Sequence, residues 1–361
     1  MESDKPFLSI CIPAYNRNYR LKELVLNILS SPLDNIEVVV LDDCSTDNTL
    51  DILKTIKDKR LSVYVNPENI GGELNHLKVL RLGRGIYSLF WIDKDWLNVE
   101  YLSNFINILQ SNMDVDLGYC DLDITDEAEP VFFDSGVDSI INFSYFSKHP
   151  TGYFYKTEKY KSLEILNRIS LNKDKYNFFI EIINAELAYH GKGVVVFVPL
   201  ISTCHLKDKD YYAKNKSNII NNDNFFGSPN LRIMEYGKYF MHMSTLSLSK
   251  NDKKKIMGRV FMLGLYSCTI KYKNFMKDEL ALQHYQLERK KISIIDYIYY
   301  GYNYYRSFFS LNIKMNFIEK FIFLITQHLY YFFKLLYYLF QNKSIKDRDL
   351  FSPQKYHVLW K

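Results

Sequence analysis

The segment IEVVVLDDCSTDNTLDILKTI, from Ile36 to Ile56, sets the architecture of the chain's first part. Its run Val38–Leu41 is apolar at every position, which suits a strand covered on both faces. The strand ends on two acids, Asp42 and Asp43. Ser45, Thr46, Asp47 and Asn48 then offer side chains able to cap the helix that LDILKTI predicts. Outward from this unit the alternation repeats. FLSICIP (Phe7 to Pro13) is a strand, with a helix over Leu21 to Leu29. LSVYV is a third strand, Gly72 to Arg84 a helix, and IYSLFWI (Ile86 to Ile92) a fourth strand stopping at Asp93. Later strands are expected at Leu117–Asp121, Gly152–Tyr155 and Gly193–Pro199, with a helix from about Tyr176 to Tyr189. The pattern predicts an α/β fold with a mostly parallel sheet and helices on both faces. In such sheets ligands bind at the carboxyl ends of the strands, where Asp42, Asp43, Asp93 and Asp95 all fall.

Charge divides the 361 residues unevenly. From Asn251 onward there are 19 Lys+Arg against 8 Asp+Glu, a net of +11, whereas the first 250 residues carry 27 against 33, a net of −6. The overall +5 is small for the length and argues against a nucleic-acid partner. Five scattered cysteines without a CxxC pair exclude a disulfide framework and a cysteine zinc site. No basic stretch followed by a long apolar run opens the chain, so a cytoplasmic location is expected. There is no GxSxG, HExxH, P-loop or GxGxxG pattern.

Four segments carry the chemistry: SICIPAYNR, VVVLDDCSTDNT, NPENIGGELNHLKVLRLGRGIYSLFWIDKDW and GVVVFVPL. Taken together and in this order they resemble glycosyltransferase family 2, of the bacterial surface-polysaccharide type. The resemblance covers roughly residues 7 to 200. It implies the GT-A fold and inverting transfer of a sugar from a nucleotide-diphosphate donor, most simply UDP-linked. Tyr15, just past the first strand, can stack on a base, and Asp43 can accept a hydrogen bond from uracil N3–H. The family's base pocket corresponds here to Pro13, Tyr15 and Asp43. Taken singly, Tyr15 also reads as a surface aromatic and Asp42 as a helix-entry acid.

WIDKDW matches the family's DXD motif. By that resemblance Asp95 is the direct ligand of a divalent metal, and Asp93 a ribose or second ligand. Hard oxygen donors of this kind suit Mn²⁺ or Mg²⁺. The family's Asn-x-Gly segment falls on Asn69, Gly71 and Asn75. Two positions depart from the pattern: Trp96 replaces a third acid, and Leu74 stands where an arginine is common. Lys78, Arg81 and Arg84 are the candidates for the missing positive charge. The general base that takes the acceptor's proton is expected on or just before the helix preceding the last strand. The family's Glu-Asp pair is absent there. Glu181 is the nearest match, with Asp174 and Glu186 as alternatives. His149, Thr151 and His205 flank the same strands.

This reading assigns residues 1–206 to the GT-A catalytic domain, 207–230 to a polar linker and 231–361 to a helical, basic, aromatic region. Within the last, FIEKFIFLITQHLYYFFKLLYYLFQ (Phe317 to Gln341) has a longest charge-free stretch of 13 residues, too short to span a bilayer. Lys320, Gln327, Lys334 and Gln341 recur every seven residues and form one polar stripe. That is an interfacial pattern, with amines and the Tyr331 and Tyr338 phenols at headgroup level on an anionic inner membrane face. Packing on the catalytic domain or a homo-oligomer contact are its other uses. The expected acceptor is a glycan or a lipid-linked oligosaccharide, in capsule or related surface glycan synthesis. A catalytically silent scaffold and a nucleotidyltransferase are the alternatives. The latter would want a glycine-rich loop after the first strand, and PAYNRNYR contains no glycine.

Overall fold

The computed structural model describes residues 5–121, 127–145, 150–163, 179–202, 225 and 227–340. Two compact units emerge: Met1–Ser139 with Ser147–Lys207, and Ile140–Phe146 with Asp208–Lys361. The first unit runs β1 (Leu8–Ala14), α1 (Asn18–Leu29), β2 (Ile36–Asp42), α2 (Thr49–Lys54), β3 (Leu61–Val65), α3 (Gly72–Leu82) and β4 (Tyr87–Phe90). It continues through β5 (Trp96–Leu97), α4 (Leu102–Gln110), β6 (Val115–Cys120), β7 (Ala128–Phe133) and α5 (Val137–Phe143), whose later residues belong to the second unit. Then come β8 (Tyr153–Lys156), α6 (Thr157–Ser162), α7 (Phe179–His190), β9 (Lys192–Phe197) and β10 (Ile201–Ser202).

Eight strands form one sheet in the order β3-β2-β1-β4-β8-β6-β9-β7. The strands β3, β2, β1 and β4 are mutually parallel, as are β6 and β9. β8 is antiparallel to both its neighbours, and β7 is an antiparallel edge. The apolar run that predicted β2 is buried throughout, because α1 covers one face of the sheet and α3 packs on the other. Leu21, Leu24, Val25 and Ile28 of α1 meet Ile10, Ile12, Val38 and Val40 in one core. Each such side chain stabilises the fold by roughly 1.5–3 kcal/mol relative to exposure. Gly118 of β6 leaves room for the Phe154 ring: a Cβ there would lie 2.1 Å from Phe154 Cζ.

Sequence periodicity did not reveal β7, β5 or β10. β7 reads AEPVFF, and Pro130 is tolerated there because the strand is an edge whose register shifts between Ala128 and Val131. β5 and β10 are two-residue strands paired antiparallel, Trp96 opposite Ser202. Trp96, at the position of the missing third acid, is therefore a strand residue. Ahead of α2, Asn48 makes no side-chain cap; the Thr49 N–H is instead accepted by Asp47 Oδ1 at 2.9 Å.

The second unit contains α8 (Pro229–Thr245), α9 (Lys250–Tyr266), a π-helical turn (Ser267–Lys271), α10 (Tyr272–Phe275), α11 (Glu279–His284), α12 (Ile294–Ser310) and α13 (Phe317–Phe340). α8 begins inside the stretch 207–230 expected to be linker; most of that stretch lies outside the described residues. Aromatic rings make this core. Phe261 has Tyr304 and Phe308 at 4.9 Å and Phe323 at 6.2 Å between centroids. The Tyr304 hydroxyl donates to the Phe261 carbonyl at 3.0 Å, over Gly264, where a Cβ would sit 2.1 Å from that oxygen.

Two members of the polar stripe of α13, Lys320 and Gln327, turn toward the helices of this unit. Lys320 is buried and donates to the Phe309 and Leu311 carbonyls at 2.7 and 2.6 Å, closing the C-terminus of α12. Gln327 lies against Gly258, where an added Cβ would come within 2.3 Å of its amide oxygen. The side chains of Tyr331, Lys334 and Tyr338, and the whole of Gln341, lie outside the described residues.

Candidate active site

Two polar clusters form where β1, β2 and β4 end. The first centres on Asp43, whose N–H donates to the Ala14 carbonyl at 2.8 Å and ties the ends of β1 and β2 together. Its Oδ1 accepts from Asn66 Nδ2 at 2.8 Å and from the Ile70 N–H at 2.9 Å, and its Oδ2 from the Gly71 N–H at 2.9 Å. A carboxylate thus pulls the NIGG loop onto the strand end. Gly71 holds φ at +89°, a backbone state that favours glycine. Asn69 Oδ1 shares the Gly71 N–H at 3.1 Å.

Asn66 is the hub behind this loop. Its amide also donates to Asn75 Oδ1 at 3.0 Å, Asn75 Nδ2 donates to the Leu41 carbonyl at 3.0 Å, and Lys78 Nζ donates to Asn66 Oδ1 at 2.7 Å. Asn66 and Asn75 are both buried, so each of these bonds replaces lost water. Of the three cations weighed as replacements for the missing arginine, Lys78 joins this network. Arg81 instead reaches the Leu163 carbonyl and Arg84 reaches Glu37. Asp42 accepts from Ser45 N–H at 2.8 Å and from the Ser45 hydroxyl, which makes it a turn residue.

Tyr15, which follows the Ala14 carbonyl that Asp43 N–H binds, is 38% exposed. Next to it Asn16, at φ +53°, accepts the Thr46 N–H at 2.9 Å and donates its own N–H to Ser45 Oγ at 2.8 Å. The loops after β1 and β2 are thereby fixed to each other beside an open aromatic face. Pro13 is half-buried on β1, opposite Leu41.

The second cluster is the WIDKDW turn. Asp93 is buried and ion-paired with Arg17 Nε from the loop after β1. Asp95 is buried and accepts from the Thr151 hydroxyl, which itself takes the Ile92 N–H at 3.2 Å. The Trp91 indole N–H donates to the Asp95 carbonyl at 2.9 Å. Burial pushes the Asp95 carboxyl up to about 6, against an ordinary 3.8; the Thr151 hydroxyl and Lys94 oppose the shift, and the Asp93 charge adds to it. Among the described residues no three His, Cys, Asp or Glu side chains converge as a metal cage. The donor set nonetheless fits a cation that keeps part of its shell from phosphate and water. It offers two hard carboxylates at one strand end, and one is desolvated enough to favour a positive neighbour.

Glu181 is buried in the first turn of α7. Two residues earlier, Phe179 meets the His76 ring edge-on at 4.9 Å, and His76 stacks on Phe90, the last residue of β4. This stack sets the start of α7 beside the strand that leads into Asp93 and Asp95. Burial holds His76 well below the usual histidine range, so it is an apolar spacer. Glu186 is half-buried and lies more than a turn further along α7. Asp174, His149 and His205 fall outside the described residues. The sequence reading did not single out Arg17 or Asn66. Both lie inside segments it quoted, but a polar residue in a loop carries no periodic signal.

Residues 9–154 match the family model for glycosyl transferase family 2. A Haemophilus influenzae protein named as an uncharacterized glycosyltransferase is 31% identical over 124 residues, covering 33% of this chain and 50% of its own. The Escherichia coli UDP-Glc:alpha-D-GlcNAc-diphosphoundecaprenol beta-1,3-glucosyltransferase WfaP is 33% identical over 104 residues, 29% of this chain and 41% of its own. The chain spans half or less of the length of these curated relatives. The crystal structure of S. aureus TarS 1-349 has a TM-score of 0.54 at 19% identity, covering 83% of this chain and 80% of that one. The crystal structure of TarS 1-349 in complex with UDP-GlcNAc gives 0.54 at 18% identity, with 83% and 81% covered. The sheet with its strand-end clusters thus has a GT-A-like fold followed by helices, and residues 9–154 are similar to glycosyl transferase family 2.

Proposed function

We propose that this protein transfers one sugar from a UDP-linked donor, with inversion, to a hydroxyl of a glycan or lipid-linked oligosaccharide in bacterial surface-polysaccharide synthesis. The observation that carries the reading is Asp43, gripping the Ile70 and Gly71 amides at the end of β2 beside the open face of Tyr15. The WfaP name, with its diphosphoundecaprenol acceptor, and the UDP-GlcNAc complex of TarS 1-349 support the same donor and acceptor classes. The catalytic part is residues 1–206, joined by 207–230 to the helical region 231–361. A lipid-linked acceptor puts the reaction at the inner face of the cell membrane.

Tyr15 stacks on the uracil, Pro13 packs beside it, and Asp43 accepts its N3–H while keeping the Asn69–Asn75 segment close to the donor. Asp95, with Asp93, would hold Mn²⁺ or Mg²⁺. That ion supplies charge neutralisation on the departing diphosphate. Arg17 and Thr151 fix the two carboxylates so that neither has to reorganise during the reaction. Glu181 takes the proton as the acceptor oxygen bonds to the anomeric carbon and the bond from that carbon to UDP breaks.

The test is UDP release from UDP-Glc and UDP-GlcNAc by the full chain, with Mn²⁺ or with EDTA. Release that Asp95→Ala and Glu181→Gln each abolish upholds the reading. A protein that binds UDP yet turns over no donor is a scaffold, and the proposal fails.

A further inference from the structure

The second unit turns an apolar face to solvent. On α12, Ile294, Ile295 and Ile298 are 76, 73 and 67% exposed; on α13, Phe317, Ile318 and Phe321 are 70, 68 and 53% exposed. The two helices lie side by side and antiparallel, with Tyr305 on His328, Phe308 on Phe323 and Phe309 on Phe317. A helix of a soluble protein keeps its polar positions outside. α13 does so only in part: it sends Lys320 and Gln327 inward with Phe323 and Leu324, and leaves Phe317, Ile318, Phe321, Ile322 and Ile325 exposed. Among the described residues no helix is long and apolar enough to cross a membrane.

We infer that the outward face of α12 and α13 docks on an anionic phospholipid surface. Charge selects this occupant. Arg289, Lys290 and Lys291 are exposed just before the apolar start of α12, and Lys314 is exposed between the two helices. Nearby, Glu279 pairs with Arg289, Asp296 with Lys290 and Glu319 with Lys250, and Glu288 is exposed. The lysines at the start of α9, with Lys253 close to Lys314 and Lys254 close to Glu319, leave the neighbourhood positive. A second copy would bring one basic rim against another, whereas anionic headgroups complement it. Apolar side chains at the acyl boundary with amines at headgroup level make an interfacial attachment. This inference rests on the membrane-borne acceptor proposed above for its purpose, but attachment itself needs neither donor nor acceptor.

The experiment is co-sedimentation of the full chain with vesicles of phosphatidylcholine alone or mixed equally with phosphatidylglycerol, without nucleotide. Binding to the mixed vesicles should exceed that to the neutral ones at least about tenfold and weaken with salt. The double variant Ile298→Glu, Phe321→Glu should lose that binding at least about tenfold with an unchanged melting temperature, since both side chains are exposed. Lys291→Glu should lower it about fivefold. Absence of vesicle binding, or equal binding by the double variant, overturns the inference. So does a solution dimer that the double variant dissolves without any vesicle binding by the wild type. UDP release without vesicle binding leaves the transferase reading standing and this surface refuted; vesicle binding without UDP release does the opposite.

Discussion

The strand ends of the first unit and the helices of the second are built on different physics. At the strand ends, buried polar groups are joined by directed bonds: Asp43 to two backbone amides, Asn66 to Asn75 and Lys78, Asp95 to Thr151. Each partner is specified by geometry, so one substitution breaks a whole network. The helical unit is held by aromatic rings around Phe261 and leaves further apolar surface outside. Packing of that kind tolerates exchange of one ring for another far better than loss of volume. The difference separates the two proposals made above: sugar transfer as proposed needs the directed network, whereas the inferred attachment needs only an apolar face with charge around it.

The sharpest way to break this comparison is Asp95→Ala. It should cost about 10²–10³-fold in sugar transfer, the range for losing one preorganised electrostatic group, in a UDP-release assay. A loss no larger than that from substitutions in the helical unit would erase the distinction. The same residue gives a pH test. Folded Asp95 keeps its proton up to about 6, whereas the unfolded carboxyl releases it near 3.8. Between those values the folded state binds more protons. Its contribution is therefore fully present below the lower value and is lost as pH rises through 6, by about 3 kcal/mol. Denaturant unfolding in EDTA near pH 4 and pH 7 should show this, and Asp95→Asn should flatten the difference.

Two further substitutions sharpen the comparison on the packing side. Gly264→Ala would push a methyl onto the Tyr304 hydroxyl and should destabilise the helical unit by about 1–3 kcal/mol, read as a lower midpoint in urea. Transfer by the molecules that remain folded should be unchanged. Tyr304→Phe removes only the bond to the Phe261 carbonyl and should cost about 1 kcal/mol in the same measurement, the smallest effect of the series.

Much of the first unit was legible because strand ends are legible. The run Val38–Leu41 with Asp42 and Asp43 after it fixes both the strand and the position of its carboxylates. Direction was not legible: nothing in GYFYK tells that β8 runs against β4 and β6. Nor was Asn66, whose importance comes from three partners far apart in sequence. In the tail, heptad spacing correctly grouped Lys320 with Gln327, since a helix fixes which residues share a face. Whether that face turns in or out depends on what it packs against. Here the free carbonyls at the end of α12 draw the Lys320 amine inside.

The most direct measurement is thermal unfolding of the wild type and Asp95→Ala with UDP, GDP or CMP, each with Mn²⁺ or EDTA. At 100 times its dissociation constant a ligand adds about 2.7 kcal/mol, a readily visible shift. UDP with Mn²⁺ should stabilise the wild type, and the gain should vanish in EDTA and in Asp95→Ala. Stabilisation by GDP in place of UDP, or by no nucleotide at all, would contradict the assignment of Tyr15, Asp43 and Asp95 to a UDP-sugar site.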